Sequence, residues 1–113
     1  MLFIEYPKCS TCQKARKFLE ASGAAFESRH IVENNPTKDE LREWIRKSGY
    51  PIKRFFNTSG MKYRELNLKD RLPSMSEEEQ LDLLASDGML VKRPLLIDGD
   101  RILVGFREKE WQS

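Results

Sequence analysis

The sequence predicts an α/β protein built on a central mixed sheet of about four strands. A strand–helix–strand pattern over residues 2–32 indicates a parallel βαβ unit with a right-handed crossover. Near the end, residues 91–104 change to strand periodicity around Asp98-Gly99-Asp100, which is typical of a hairpin turn. Segments with helical periodicity separate these two parts, so helices should cover the sheet.

The first unit begins with the continuously apolar run Leu2–Ile4, which predicts a buried strand. A helix is predicted from about Ser10 to Ser22, and Gly23 is a natural stop after its last turn. A second strand is predicted over Phe26–Val32. The buried face of the helix is predicted from its spacing to comprise Cys12, Ala15, Leu19 and either Ala21 or Ser22.

Residues 37–88 are predicted to be mainly helical. Thr37 with Glu40, and Ser76 with Glu79, form capping boxes that start two helices, which end at Gly49 and at 87–88. Two short helices joined by a turn at 57–60 are predicted between them, and Pro73 breaks the chain again. The predicted core positions are Leu41, Trp44, Ile45, Phe55, Phe56, Tyr63, Leu66, Leu68, Leu81, Leu84 and Ala85.

The last segment is predicted to form strands on either side of 98–100, with Arg101–Val104 returning, and a short polar helix near Arg107–Gln112. The chain shows no repeat, linker or low-complexity tract, so we expect one domain over residues 1–113. Its 20 basic and 18 acidic residues give a net charge of +2, too small to indicate binding to nucleic acid or a membrane surface. Lacking a bilayer-length apolar run and a signal peptide, the protein is expected in the cytoplasm.

Both cysteines lie in one motif, Cys9-Ser10-Thr11-Cys12, directly after the first strand and at the start of the first helix. The unpaired N–H groups and the dipole of a helix N-terminus stabilise a thiolate, which is the nucleophilic form of cysteine. Lys8, Lys14 and Arg16 add positive charge nearby. We therefore predict that Cys9 is a nucleophile and that Cys12, one turn further in, is the resolving thiol.

Two other interpretations of the cysteines remain open. Free cysteines are often small buried hydrophobic residues, and Cys12 alone would fit that description. The pair could also supply two of the four ligands that a zinc site needs, but the only further candidate ligand in the chain, apart from carboxylates, is His30. No metal is therefore expected.

Five segments together resemble the thioredoxin fold, and more closely the ArsC/Spx family that is built on it. The resemblance spans nearly the whole chain and implies a thioredoxin-like fold in which a helical insertion, about 37–88, separates the βαβ and ββα parts. It also implies a redox site without a bound cofactor. The segments are 7–15 (PKCSTCQKA), Asn57-Thr58, Tyr63 with Glu65-Leu66, 91–96 (VKRPLL) and 103–106 (LVGF).

The resemblance gives Arg93 and Pro94 places at the site. Arg93 is expected to orient an anionic group or to lower the pKa of Cys9. The Arg93–Pro94 bond is expected to be cis, with Pro94 facing the nucleophile, at a cost of about 0.5–1 kcal/mol for an X-Pro bond. An ordinary trans proline at the first residue of a strand is the alternative.

The arsenate reductases of this family surround the oxyanion with three arginines beside one cysteine. Arg93 corresponds to one arginine, but Asn57 and Gly105 stand at the other two positions, and Glu5 stands where these enzymes have a histidine. A carboxylate near Cys9 would oppose thiolate formation. Arsenate reduction is therefore expected to be weak or absent, unless cations elsewhere compensate; the candidates are Lys53, Arg54, Lys62 and Arg107.

The Spx branch of the family binds the RNA polymerase α subunit and senses oxidation through Cys-x-x-Cys. Cys9 and Cys12 match that motif, but Pro51 replaces the expected glycine of the contact surface, and Lys53 and Arg54 replace acidic neighbours. We expect a thiol oxidoreductase that takes electrons from thioredoxin, glutaredoxin or glutathione. A redox-switched regulator that binds RNA polymerase and an adaptor with incidental thiols are the alternatives.

Overall fold

In this computed structural model, residues 1–112 are described, and they form four β-strands and six α-helices. The strands are β1 (Leu2–Glu5), β2 (Glu27–His30), β3 (Leu95–Asp98) and β4 (Arg101–Val104). The helices are α1 (Ser10–Ala21), α2 (Lys38–Ser48), α3 (Met61–Glu65), α4 (Leu68–Arg71), α5 (Glu77–Ser86) and α6 (Glu108–Gln112). Short 3₁₀ turns lie at Ile52–Phe55, Leu72–Ser74 and Gly88–Leu90.

The four strands form one mixed sheet in the order β2-β1-β3-β4. β1 runs parallel to β2, with Leu2 opposite Glu27, and antiparallel to β3. β3 and β4 form the predicted hairpin, in which Asp98 lies opposite Arg101 and the φ of Gly99 is +62°. The prediction of an α/β fold on a mixed four-stranded sheet is confirmed.

Side chains of β1 alternate between two cores, because successive residues of a strand point to opposite faces. Phe3 packs on one face with the apolar side of α1 and with Trp111 of α6. Ile4 packs on the other face with the apolar sides of α2 and α5 and with Phe55 and Phe56. Helices thus cover both faces of the sheet, and the ends of its strands remain available for a site.

The first unit differs from its prediction at the ends of its strands and on the buried face of its helix. β1 continues to Glu5, and β2 begins at Glu27 rather than at Phe26. β2 ends at His30 rather than at Val32, because the His30 imidazole accepts hydrogen bonds from the N–H groups of Val32 and Glu33, at 3.1 Å each, and turns the chain. Ala21 and Ser22 are both exposed, so the buried face of α1 consists of Cys12, Ala15 and Leu19.

Both predicted capping boxes, at Thr37–Glu40 and Ser76–Glu79, are present at the starts of α2 and α5. Between these helices the chain contains more short elements than the two predicted helices. A 3₁₀ turn and α3 lie on either side of residues 57–60, and α4 follows as a further short helix. No local pattern indicated the 3₁₀ turn after α5. Of the predicted core positions, Leu66 and Ala85 are only half-buried.

Gly88 fixes the contact between the end of α5 and the loop after β2. A Cβ atom built on Gly88 would overlap the backbone carbonyl of Ile31. Backbone atoms do not yield easily, so this approach requires glycine. Within residues 1–112, no helix has the length and apolar composition needed to cross a membrane.

Candidate active site

Cys9 lies at the point where the turn after β1 enters α1. It is the residue that precedes the first turn of the helix, with φ −81° and ψ 123°. Its N–H donates to the Tyr6 carbonyl at 2.9 Å, and its own carbonyl accepts from the Gln13 N–H at 3.0 Å. The helix start therefore holds the Cys9 backbone at both ends, and the half-buried side chain faces a surface cavity.

The surroundings of Cys9 lower the pKa of its thiol. Burial acts against this by raising the pKa, but hydrogen bonds from the backbone and thiol of Cys12, the backbone of Thr11 and the guanidinium of Arg93 outweigh it. Donors that favour a thiolate are the groups expected at the start of a helix. Cys9 is thus the more acidic thiol of the pair.

Cys12 is in the opposite situation. Its side chain is fully buried, and the pKa of its thiol is raised to about 12, mainly by burial. The Tyr6 N–H, which donates to the Cys12 Sγ at 3.5 Å, acts to lower this pKa, and negative charge on Cys9 acts to raise it. At neutral pH Cys12 is therefore a protonated thiol beside a more acidic one. Both cysteines are free thiols here.

Arg93 lines the same cavity as Cys9, and two further contacts hold its side chain. Its Cζ lies 5.1 Å from the centroid of the Tyr6 ring, and its Nη1 donates to the Met89 carbonyl at 3.3 Å. The Arg93–Pro94 bond is cis, and the buried Pro94 accepts a hydrogen bond from the Gly105 N–H at 2.8 Å. The loop that contains Arg93 and Pro94, called the proline loop below, is therefore fixed to Gly105, the residue that follows β4.

A cavity of about 690 Å³ lies between α1, the 3₁₀ turn at 52–55, the proline loop and the residues after β4. Its lining includes Cys9 and Thr11 at the start of α1, Asn57 to Gly60 from the insertion, and Gly105 and Phe106 after β4. Among residues 1–112, no acidic side chain contributes to the lining. The lining cations are Lys53, Arg54, Lys92, Arg93 and Arg107.

The amino-acid sequence matches one family model over almost its full length. The sequence model of the ArsC family matches residues 4–113. The chain belongs to the ArsC family. YusI, an uncharacterized protein of Bacillus subtilis (strain 168), is 57% identical over 113 residues, which are 100% of this chain and 96% of YusI.

Two relatives of this ArsC-family chain carry regulatory names. The regulatory protein MgsR of Bacillus subtilis (strain 168) is 29% identical, with 97% of this chain and 86% of MgsR covered. The global transcriptional regulator Spx of Listeria innocua is also 29% identical, with 92% and 78% covered.

Solved structures of the family resemble this one closely. An ArsC-family-related protein from Bacteroides fragilis is 54% identical with a TM-score of 0.96, covering 98% of this chain and 93% of its own. A possible arsenate reductase from Streptococcus mutans is 43% identical with a TM-score of 0.90, covering 99% and 97%. These likenesses establish the family and its thioredoxin-like fold.

Three of the four cations predicted as possible substitutes for the missing arginines line the cavity. Lys53, Arg54 and Arg107 line the cavity together with Asn57 and Gly105, whereas Lys62 does not. Lys92 was not among the predicted candidates, although it directly precedes Arg93 in the sequence. Its contribution depends on how the proline loop folds against the insertion, which the sequence alone does not show.

Glu5 does not oppose the Cys9 thiolate in the way that its position in the sequence suggested. The residue is 4% exposed, and its carboxylate is bound by Arg16 and Ser28, with the Arg16 Nε donating at 3.3 Å. This cluster joins β1, α1 and β2, and the Arg16 charge compensates the carboxylate. Within residues 1–112, His, Cys, Asp and Glu side chains form no group of three that would suit a metal ion.

Proposed function

We propose that this ArsC-family chain is a thiol–disulfide oxidoreductase in which Cys9 is the nucleophile and Cys12 the resolving thiol. One observation carries the proposal: the pKa of Cys9 is lowered at an open cavity, while one turn away the pKa of the buried Cys12 is raised. Two neighbouring thiols with pKa values moved apart suit a reaction in which one attacks first and the other follows.

In the first step the Cys9 thiolate attacks one sulfur of a disulfide, forms a mixed disulfide and releases the other half as a thiolate. The negative charge on Cys9 disappears, which removes one of the influences that raise the pKa of Cys12. Cys12 then loses its proton and attacks the Cys9 sulfur. This forms the Cys9–Cys12 disulfide and releases the second half of the substrate as a thiol.

Arg93 is assigned the role of stabilising negative charge at Cys9, since its guanidinium lowers the pKa of that thiol. The Cys9–Cys12 disulfide is then reduced by an electron donor of the thioredoxin, glutaredoxin or glutathione class, without a bound cofactor. The cytoplasm, where such donors keep thiols reduced, is the proposed location.

Turnover assays test the proposal. The reduced protein is mixed with a disulfide substrate and a thioredoxin or glutaredoxin reducing system, and consumption of reductant is followed. Cys9→Ser should abolish turnover, and Cys12→Ser should stop the reaction at a mixed disulfide that mass spectrometry detects. Turnover that survives in Cys9→Ser would exclude Cys9 as the nucleophile and overturn the proposal.

A redox-switched regulator is the second candidate, because MgsR and Spx are relatives over most of the chain. In such a role, oxidation of Cys9 and Cys12 would change binding to the RNA polymerase α subunit. Against this stand Pro51, Lys53 and Arg54, which bring positive charge and a proline to the surface where the resemblance implies acidic residues and glycine. A pull-down with the carboxyl-terminal domain of the polymerase α protein, using both oxidised and reduced chain, separates the two candidates.

A further inference from the structure

We propose that Tyr6 is a positioning residue, whose aromatic ring holds the Arg93 guanidinium where it acts on the Cys9 sulfur. The inference rests on the role that the proposed function gives to Arg93, and it adds the residue on which that role depends. Two observations carry it: the contacts that hold the Arg93 side chain, and the hydrogen bonds that join the Tyr6 backbone to both cysteines.

Few groups hold the long side chain of Arg93. Its Nη1 donates to the Met89 carbonyl at 3.3 Å, which is long for an N–H···O hydrogen bond. Among residues 1–112, no carboxylate forms an ion pair with it. The guanidinium also lies over the Tyr6 ring, with 5.1 Å between Cζ and the ring centroid. Without the ring, the side chain would regain rotamer freedom, and its guanidinium would leave Cys9 more often.

An aromatic ring suits an arginine that has to act on a thiolate. The ring attracts the cation through its electron-rich face and uses none of the N–H donors, so these remain available to Cys9 and to the Met89 carbonyl. A carboxylate in place of the ring would bind those donors and bring negative charge close to Cys9, which opposes thiolate formation. The ring therefore fixes Arg93 without weakening its effect on the thiol.

The Tyr6 backbone is joined to the motif on which Arg93 acts. Its carbonyl accepts a hydrogen bond from the Cys9 N–H at 2.9 Å, and its N–H donates to the Cys12 Sγ at 3.5 Å. The ring makes a second, edge-to-face contact with the imidazole of His30, with 5.8 Å between the centroids. One residue thus connects the end of β1, both thiols and the cation of the proline loop.

Alkylation of Cys9 tests the inference separately from disulfide turnover. The rate of modification by iodoacetamide, a neutral reagent, is measured by peptide mass spectrometry from pH 5 to pH 10. Tyr6→Leu should slow the reaction of Cys9 at pH 7 by about two- to fivefold and move its pH profile upward. Tyr6→Phe keeps the ring and should superimpose on the wild type. Tyr6→Met, which also removes the ring, replaces Tyr6→Leu if that variant fails to fold.

A double variant distinguishes positioning of Arg93 from a general loosening of the site. If the ring acts through Arg93, Tyr6→Leu should have no further effect on the Cys9 profile in an Arg93→Ala background. If the ring only supported the backbone around the cysteines, Tyr6→Leu would slow the reaction by the same factor in both backgrounds. That second result would overturn the inference.

Phe26→Leu is the matched control. Phe26 is also half-buried and also lies under an arginine, with 5.6 Å between the Arg16 Cζ and its ring centroid. That arginine binds the Glu5 carboxylate rather than Cys9. The variant therefore removes an equivalent ring contact, and the Cys9 profile should stay that of the wild type.

The outcomes separate the two proposals. A Tyr6→Leu profile equal to the wild type, faster reaction of Cys9 in that variant, or equal slowing by Tyr6→Phe would each overturn the positioning role while leaving the oxidoreductase function in place. The expected alkylation profiles together with no turnover of any disulfide would instead overturn the proposed function and leave the role of Tyr6 intact.

Discussion

The backbone N–H of Tyr6 donates a hydrogen bond to the Sγ of Cys12, with 3.5 Å between nitrogen and sulfur. The contact ties the first turn of α1 to the end of β1. It also gives the buried thiol a polar partner, since the rest of its surroundings are apolar enough to raise its pKa to about 12. The difference between the two cysteines therefore originates mainly in the burial of Cys12, and the Tyr6 N–H reduces it only in part.

The two thiols should react with alkylating agents at different pH. Because the pKa of Cys9 is lowered and that of Cys12 is raised, iodoacetamide should modify Cys9 first, and the rate for Cys9 should level off at a lower pH than for an ordinary cysteine. Cys12 should stay unmodified throughout this range in the folded protein. Peptide mass spectrometry after timed alkylation between pH 5 and pH 10 gives both profiles; equal labelling of the two residues would contradict the assignment.

Arg93→Ala should raise the pKa of Cys9, since it removes a hydrogen bond that favours the thiolate. The reaction of Cys9 with iodoacetamide at pH 7 should slow several-fold, and Arg93→Lys should retain part of the rate. Lys17→Ala is a suitable control, because Lys17 is exposed on α1 and does not line the cavity. An Arg93→Ala titration that superimposes on the wild type would remove Arg93 from the site.

Arsenate reduction is expected to be weak in the wild type, because Asn57 and Gly105 provide no arginine fork at the cavity. Asn57→Arg should strengthen binding of arsenate roughly tenfold or more, since a charge-assisted hydrogen bond contributes about 1.5–3 kcal/mol. The equivalent change at Gly105 is a poorer test: its φ is +73°, and an added Cβ would lie 3.2 Å from the Lys92 Cε.

Protection of Cys9 from alkylation by added arsenate measures this affinity in both proteins. Asn57→Gln serves as the matched uncharged variant. Efficient arsenate turnover by the wild type, lost in Cys9→Ser, would show that the five lining cations replace the missing arginines.

The ion pair between Arg29 and Glu40 should make stability depend on pH in acid. Hydrogen bonds from both terminal nitrogens of Arg29, at 2.8 Å each, lower the pKa of Glu40 to about 2. Its unfolded value is about 4.3, so the contribution is complete above about pH 5 and is lost as the pH falls towards 2.

Glu40→Gln should therefore be less stable than the wild type at pH 7, by up to about 1 kcal/mol given the partial exposure of the pair, and the difference should shrink in acid. Urea unfolding at pH 7 and pH 3 measures both values. Glu65→Gln, on an exposed position of α3, controls for removal of a negative charge. A difference that grows in acid would have the wrong sign for this explanation.

Gly88→Ala should destabilise the protein by about 1–3 kcal/mol or more, because the added Cβ overlaps the Ile31 carbonyl and either α5 or the loop after β2 has to move. Gly23→Ala is the comparison: its Cβ would meet no atom within 4 Å, and only the left-handed φ of +75° costs energy, about 1 kcal/mol. Thermal unfolding of both variants gives the order, and a smaller loss at Gly88 would contradict the packing described.

The parts of the fold that follow local rules could be predicted from the sequence. Both capping boxes and the hairpin at 98–100 depend on residues only a few positions apart, and they lie where the pattern indicated. The end of β2 could not be predicted from apolar residues alone, because the imidazole of His30 turns the chain before Ile31 and Val32 can extend the strand.

The candidate site divides in the same way. The place of Cys9 at the start of α1 follows from neighbouring residues, whereas the cavity is made by segments distant in sequence. Lys53 and Arg107 line the cavity with Cys9, whereas Lys62 does not. This difference depends on how the insertion packs against the proline loop. The direction of the Glu5 side chain could not be predicted from the sequence either, because its partners, Arg16 and Ser28, come from two other elements.

The buried cluster of Glu5, Arg16 and Ser28 has a consequence for how the first unit assembles. A carboxylate with 4% exposure is tolerated only when its partners are in place, since an unpaired buried charge is strongly unfavourable. Those partners come from α1 and β2, so a form in which either element has detached must expose Glu5 to water. β1, α1 and β2 should therefore open together, as one cooperative unit in hydrogen exchange. The two cysteines belong to this unit, because they lie at the start of α1.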